Sequence, residues 1–377
     1  MMTVLITGGA GFIGSSLALE LIEQGYSIRV LDNLSEQIHG QDPKQSATFG
    51  KIKDRVEVMV GDVRNANDWK KALTGVTCVV HLAAETGTGQ SMYNTHHYFD
   101  VNVSGTAHLI DALRTDGNQV ERLVIASSRA IYGEGKYEDS KGNTVYPTGR
   151  SETDLNKGIF NPVKDGIELK EVATTEDTPF KPTSVYGLTK QVQEQMVIMA
   201  AETMGISGIA LRYQNVYGPG QSLINPYTGI ISIFSKLLLA GKPINIFEDG
   251  EESRDFIYID DVVKATALAV AHADSSLVAS LNVGYGRAVS VKEVAQTLKD
   301  LYNSNSELNV SGNYRLGDIR HNFADCNKAK NILGFEPTVD IKTGLKHFSE
   351  WVMSQKLVDD NAYEKSLEEL KEKGLFK

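Results

Sequence analysis

At 377 residues, with 41% hydrophobic and 23% charged side chains, the chain has the make-up of a globular protein, large enough for one large or two intertwined domains. Its formal net charge of −10 works against unspecific attraction to a nucleic-acid backbone, so an anionic ligand would need arginines gathered locally. Cys78 and Cys326 are the only cysteines and lie far apart, which excludes a disulfide framework and a cysteine metal cluster and fits a reducing compartment.

The chain runs from "MM" straight into "TVLITGG", with no basic leader, and contains no run of about 18 apolar residues. A soluble cytoplasmic protein with no membrane or nucleic-acid partner is expected. Five short apolar runs follow in order: 3–8, 27–32, 56–62, 77–83 and 122–128. Their continuous, β-branched character predicts strands covered on both faces, hence a parallel sheet. Between the first two, Ser15 to Gln24 carries Leu17, Leu21 and Ile22 on one helical face, and Gly25 follows as a stop. The pattern is βαβ, and the fold class is α/β, a Rossmann-type doubly wound sheet with a smaller mixed C-terminal domain.

The first turn reads "TGGAGFIG", placing Gly8, Gly11 and Gly14 between a strand and a helix. Such glycines let backbone N–H groups approach a pyrophosphate at the positive end of a helix, so dinucleotide binding is expected. Asp32 ends the next strand, where a carboxylate accepts the adenosine ribose hydroxyls and repels a 2′-phosphate, which favours NAD over NADP. Asp62 after the third strand is a candidate adenine contact, and Leu82, Ala83 and Ala84 offer small walls for a flat cofactor. The eight histidines, including adjacent His96 and His97, have no spacing that makes a ligand set, so no metal is expected.

Residues 122–128 end in two serines, and "TSVYGLTKQVQEQMVIMAAETMG" (183–205) is the clearest helix. Tyr186 and Lys190 stand four apart on it and share a face. A neighbouring ammonium and a cationic nicotinamide would both lower the phenol's pKa, making Tyr186 a general base, with Ser128 orienting the same substrate hydroxyl. "SGIALRY" then reads as a sixth strand. Short amphipathic helices are predicted at 290–302, 327–334 and 341–357, and 361–377 closes the chain as a charged helix, read as a solvated face.

The motifs "TGGAGFIG", "GDV", "HLAA", "VNVSGT", "SSRAIYG", "YGLTK", "LRYQNVYGPG", "RDFIYIDDV" and "GDIRHNFADCNKAKNILGFEP" come in an order that resembles the extended short-chain dehydrogenase/reductases, the family of nucleotide-sugar epimerases and dehydratases. That resemblance covers nearly the whole chain. It implies a Rossmann domain (1–214, with 255–287 returning to it and an insertion at about 137–182), a nucleotide-sugar domain (215–254 and 288–358) and a helical tail (359–377). A homodimer joined by a four-helix bundle is also implied.

By the same resemblance Ser128, Tyr186 and Lys190 are the catalytic triad. NAD would be held by Gly8, Gly11, Phe12, Ile13, Gly14, Asp32, Asn33, Asp62, Val63, Leu82, Ala83, Ala84 and Asn102, together with Tyr186 and Lys190. Thr86, Ser128, Asn215, Phe247, Arg254, Arg315 and Asp318 would hold the nucleotide sugar. Paired arginines from different segments suit a pyrophosphate, because they grip it by charge-assisted hydrogen bonds.

Dehydratases of the family carry Asp-Glu after the catalytic Ser or Thr; here Arg129 and Ala130 follow, and neither serves as acid or base at neutral pH. An epimerase is therefore expected. The stretch between Ser128 and Tyr186 is longer than the family's usual spacing and resembles the insertion of the dTDP-L-rhamnose 4-epimerase subfamily, without the paired cysteines often found there. A UDP-hexose or UDP-uronate 4-epimerase and a nucleotide-sugar reductase stay open as alternatives, whereas a non-catalytic NAD-binding scaffold would have no need for Ser128, Tyr186 and Lys190 together.

Overall fold

The computed structural model describes residues 2–225, 227, 229–356 and 362–377. The boundary expected at 358/359, the last residue of the helix expected over 341–357 and the first of the tail helix lie outside the described residues. Seven strands build the main sheet: β1 (Thr3–Thr7), β2 (Ser27–Asp32), β3 (Glu57–Val60), β4 (Cys78–His81), β5 (Arg122–Ser128), β6 (Ser207–Tyr213) and β7 (Val278–Val283). They run in the order β7-β6-β5-β4-β1-β2-β3, and every neighbouring pair is parallel. The order reverses between β1 and β4, which opens a crevice at the carboxyl ends of the strands.

Continuous apolar runs become central strands because helices cover both faces. β5 and β6 are buried at every position, and Val4, Leu5, Ile6, Val79 and Val80 are fully buried. β3 departs from that expectation: it is the sheet edge, shorter than 56–62, with Val60 69% exposed. α1 (Phe12–Glu23) begins three residues earlier than its apolar spacing suggests, because the glycine turn itself enters the helix at Gly11. α2 (Val185–Met204) is capped by the Ser184 hydroxyl accepting from Gly187 N at 3.1 Å, and it ends at Gly205 in the left-handed region.

Beyond β6 the chain builds a smaller layer. Asn215–Tyr217, Ser253–Tyr258 and Ala288–Ser290 form a mixed sheet, with His321–Asn322 added alongside. The 137–182 stretch folds into short strands and the turn of helix Glu152–Leu155. Arg150 fastens it to this layer, donating to Glu248 Oε1 at 2.7 Å and to the Asp318 carbonyl at 2.9 Å.

The C-terminal segment corrects an expectation. α3 (Ala362–Glu372) is not a solvated charged helix: Ser366 and Leu370 are buried, and Phe376 after it packs on Phe247 with ring centroids 5.0 Å apart. Its apolar positions are spaced three and four apart, so a charged composition hides one apolar stripe. Glu369 Oε2 accepts from Tyr93 Oη at 2.9 Å and Tyr227 Oη at 2.7 Å, and Leu316 N donates to the Leu375 carbonyl at 3.1 Å. Among the described residues no helix is long and apolar enough to cross a membrane.

One buried ion pair joins α2 to the sheet. Glu194, 2% exposed, accepts from Arg212 on β6 at 2.6 Å, from Ser280 on β7 at 2.8 Å and from Ser127 on β5. Replacing Arg212 with Met would strand that carboxylate without its counter-charge, at a cost of about 3–5 kcal/mol. Chemical denaturation should register the loss, and an unchanged midpoint would contradict the role given to the pair.

Candidate active site

A cavity of about 620 Å³ runs along the carboxyl ends of the strands, from the glycine turn at Gly8 to Arg315 in the smaller layer. At its first end the glycines leave no room for side chains. A Cβ on Gly14 would meet the Gly8 carbonyl oxygen at 2.4 Å, and one on Gly8, where φ is +66°, would meet Ala83 N at 2.9 Å. No side chain caps the first turn of α1, so its N–H groups remain available to a phosphate. Phe12, Ile13, Leu82, Ala83, Ala84, Asn33 and Val63 complete this wall.

Asp32 lines the same end. Its carboxylate accepts from Ala10 N at 3.0 Å and Leu34 N at 2.9 Å, which fixes both oxygens at the rim of the turn. Burial raises its pKa above the ordinary carboxylate value, against the pull of those two N–H groups and His39. This end therefore fits a dinucleotide: a tight turn that a methyl group at Gly8 or Gly14 would push apart, an uncapped helix end and a fixed carboxylate.

Two residues expected at the cofactor do not line the cavity. Asp62 is tied to Arg64 at 2.8 Å, and that hydrogen-bonded pairing, more than anything else, holds it down at about 2. Asn102 sits behind the wall in a π-helical turn, Phe99–Ser104, fully buried. Its Oδ1 accepts from Glu85 N at 2.7 Å and its Nδ2 donates to Thr189 Oγ1 at 2.9 Å, so it fastens α2.

In the middle of the cavity β5 ends at Ser128 and α2 presents Tyr186 and Lys190 to it. Arg129 and Ala130 line it as well, from the short turn Arg129–Tyr132. The lowered phenol pKa expected from the sequence belongs to a site that also holds a cationic nicotinamide; the protein's own groups give a different balance. Burial raises Tyr186 above its ordinary value, with the Ser128 hydroxyl and the charge of Arg129 working in the opposite direction. Lys190, 3% exposed, is pushed down to about 7 by burial, with Glu194 opposing the shift.

The far end collects Thr86, Asn215, Phe247, Arg254, Arg315 and Asp318, with Tyr363, Ser366, Leu370 and Leu375 of the C-terminal segment closing over it. The two expected arginines differ. Both terminal nitrogens of Arg254 are committed to the protein, to Asp318 Oδ1 at 2.9 Å and to the carbonyls of Ser253, Ile319 and Arg320. Arg315 stacks over Phe247 at 4.8 Å, its buried Nε without a partner. Among the described residues neither Arg129 nor Arg315 has a hydrogen bond or ion pair at its guanidinium, so these are the free cations of the cavity.

The sequence reading missed Glu252, which lines this end and which burial pushes up to about 7. It also missed Gln193 and Glu194, whose signal was their place on the catalytic helix face with Tyr186 and Lys190, and the closing segment itself.

A dinucleotide cradle leading to a serine, a tyrosine and a lysine on one wall defines an NAD-binding Rossmann enzyme. The family model "NAD dependent epimerase/dehydratase family" matches residues 4–153 and 159–284, and the chain belongs to that family. A dTDP-L-rhamnose 4-epimerase of Burkholderia thailandensis is 36% identical over 354 residues, covering 93% of this chain and 95% of the relative. Among solved structures, a UDP-glucose 4-epimerase of Thermotoga maritima with UDP-glucose has a TM-score of 0.75 at 29% identity, covering 93% of this chain and 99% of that one. A UDP-glucuronic acid 4-epimerase of Bacillus cereus, in complex with UDP-glucuronic acid and NAD, has a TM-score of 0.75 at 26% identity over the same shares. The chain is an NAD-dependent isomerase.

Gly14→Ala should yield folded protein without bound NAD, read from the absorbance of the nucleotide released on denaturation; a fully loaded variant would contradict the cradle. Tyr186→Phe should keep NAD and lose turnover by about 10²- to 10⁴-fold, the worth of a positioned base. An active variant would remove Tyr186 from the chemistry.

Proposed function

We propose that the chain is a C4 epimerase of a nucleotide-activated deoxysugar, interconverting dTDP-L-rhamnose and dTDP-6-deoxy-L-talose. The observation that carries the reaction type is the make-up of the catalytic wall: Ser128, Tyr186 and Lys190 face the cavity beside Arg129 and Ala130. That turn offers no carboxyl group to remove water, so the tyrosine is the base the wall supplies.

Tyr186 takes the proton of the C4 hydroxyl, and Ser128 hydrogen-bonds the same oxygen and holds it in line. Bound NAD supplies the acceptor, and then the donor, of the C4 hydride. Lys190 and Arg129 place positive charge beside Tyr186, which favours the tyrosinate that must be present before it takes the proton. The keto sugar would turn over within the site, and Tyr186 would return the proton to the same oxygen. Sugar and nucleotide are neither oxidised nor reduced overall.

For the nucleotide end, Arg315 over Phe247 offers a cation whose Nε has no partner among the described residues, beside an aromatic face, suited to a diphosphate and a base. The insertion at 137–182 and the 36% identical relative favour thymidine diphosphate and a 6-deoxysugar. A second reading, a UDP-glucose or UDP-glucuronate 4-epimerase, is favoured by the solved structures described above.

Incubation of the purified protein, without added cofactor, with dTDP-, UDP-, GDP- and CDP-sugars separates the readings. Conversion of dTDP-L-rhamnose to its C4 epimer is the expected result. Conversion of a UDP pair alone would move the assignment to the second reading, and no conversion by NAD-loaded protein would sink both.

A further inference from the structure

Lys190 is almost wholly buried, so its ammonium must find an acceptor within the protein or give up its charge. The acceptor it finds is Gln193 Oε1, at 2.8 Å. Gln193 is itself fully buried, three residues further along α2, and no family motif quoted above includes it. Its other end is fixed as firmly: Nε2 donates to Thr106 Oγ1 at 2.8 Å.

The hydrogen bonds to Lys190 and Thr106 favour one orientation of the amide, although its Nε2 also lies 3.5 Å from His81 Nε2. Thr106 spends its own proton on the Asn102 carbonyl at 2.7 Å and so accepts from its other neighbours. His81 Nε2, 3.0 Å away, is therefore a donor to Thr106, and His81 Nδ1 accepts from Thr7 Oγ1 at 2.7 Å. Burial, reinforced by the charge of Lys190, pushes His81 down to about 3, so the ring is neutral, as that pattern requires. Turning the amide round would set its NH₂ against the ammonium and its oxygen against a hydroxyl with no proton to give. Gln193 thus points its oxygen at Lys190 because Thr106 and His81 hold it there.

We propose that Gln193 is the positioning residue for Lys190: its side-chain oxygen, aimed by Thr106, holds the ammonium at the cavity wall without neutralising it. A carboxylate is available only one residue away, yet Glu194 is spent on Arg212, Ser127 and Ser280. A neutral acceptor supplies a hydrogen bond and leaves the positive charge to act on the phenol and on a bound ribose. An anionic one would form a closed ion pair and cancel that charge. The titratable and charged groups around Lys190 are Tyr186 and Glu194 on its own helix, His81 from β4, Arg129 from the turn after β5, and Arg212 from β6 acting through Glu194.

The inference rests on Lys190 belonging to the catalytic wall, and its test is read without substrate so that the two fail separately. Protein carrying ¹³C-lysine, purified with whatever NAD it retains, is titrated by NMR. The Lys190 signal is assigned by its loss in Lys190→Met, and the titration is repeated in Gln193→Met and Gln193→Glu. Removing the acceptor disfavours the ammonium, so the Lys190 midpoint should fall by about 1 pH unit in Gln193→Met, the worth of one hydrogen bond to a charged group. Supplying an anion favours the ammonium, and the midpoint should rise in Gln193→Glu. Opposite shifts are a result that mere loss of packing does not produce. A midpoint that stays in place in both variants, or moves the same way in both, overturns the proposal. If Gln193→Met does not fold, the direction in Gln193→Glu decides: an unchanged or lowered midpoint overturns it. Failure of the unaltered protein to epimerise any sugar would count against the proposed function and leave this titration readable.

Discussion

The carboxylate of Glu194 is the point on which the geometry of the proposed catalytic wall depends. It receives hydrogen bonds from Ser127, Arg212 and Ser280, one from each of the adjacent strands β5, β6 and β7. A charge this deep is costly unless every lone pair is met, and here the guanidinium and two hydroxyls meet them. The consequence is a fixed rotation and a fixed height of α2 on the sheet. One turn nearer its N-terminus Lys190 then faces the cavity, and one turn further Tyr186 does, opposite the serine that ends β5. Asn102 fastens the same helix from the other side through Thr189. The placing of Tyr186 and Lys190 at the cavity is thus a matter of where a helix is clamped.

The cavity has two ends with different physics. At the glycine turn the protein contributes backbone: N–H groups at a helix end, and close approach that a single methyl group would prevent. At the other end it contributes cations and aromatic faces drawn from segments distant in sequence. Arg254 works inward there, pinning the carbonyls of residues 253, 319 and 320, while the buried Nε of Arg315 has no hydrogen-bond partner among the described residues. Arg150, from the 137–182 stretch, is 3% exposed at its side chain and ties that stretch to the same layer. The C-terminal segment closes this end through Glu369 and Phe376.

Much of the fold was legible because its signals are local. Strands buried on both faces must be apolar at every position, a glycine turn before a helix has few other uses, and a four-residue spacing places two side chains on one face. The less legible parts depend on partners remote in the chain. Nothing near Asn102 says that it lies behind the wall, since that follows from its bonds to Glu85 and Thr189. Arg254 and Arg315 look alike in sequence, and only the carbonyls around the first reveal that it is a structural clamp. The tail reads as charged because its apolar stripe is narrow and its partners, Tyr93, Tyr227 and Phe247, lie more than a hundred residues away. The balance at Tyr186 is hard to read for a related reason: sequence shows neighbouring charge, while the burial that raises its pKa in the protein alone is a property of the whole fold.

The central claim is that the hydrogen on C4 leaves and returns within one closed site, with Tyr186 handling the proton and no net redox change. A nucleotide deoxysugar bearing deuterium at C4, incubated with the purified protein and no added cofactor, tests it directly by NMR of the product. Inverted configuration at C4 with the deuterium retained is the predicted result. Inversion with deuterium lost to solvent, or turnover that requires a continuous supply of external cofactor, would contradict the account.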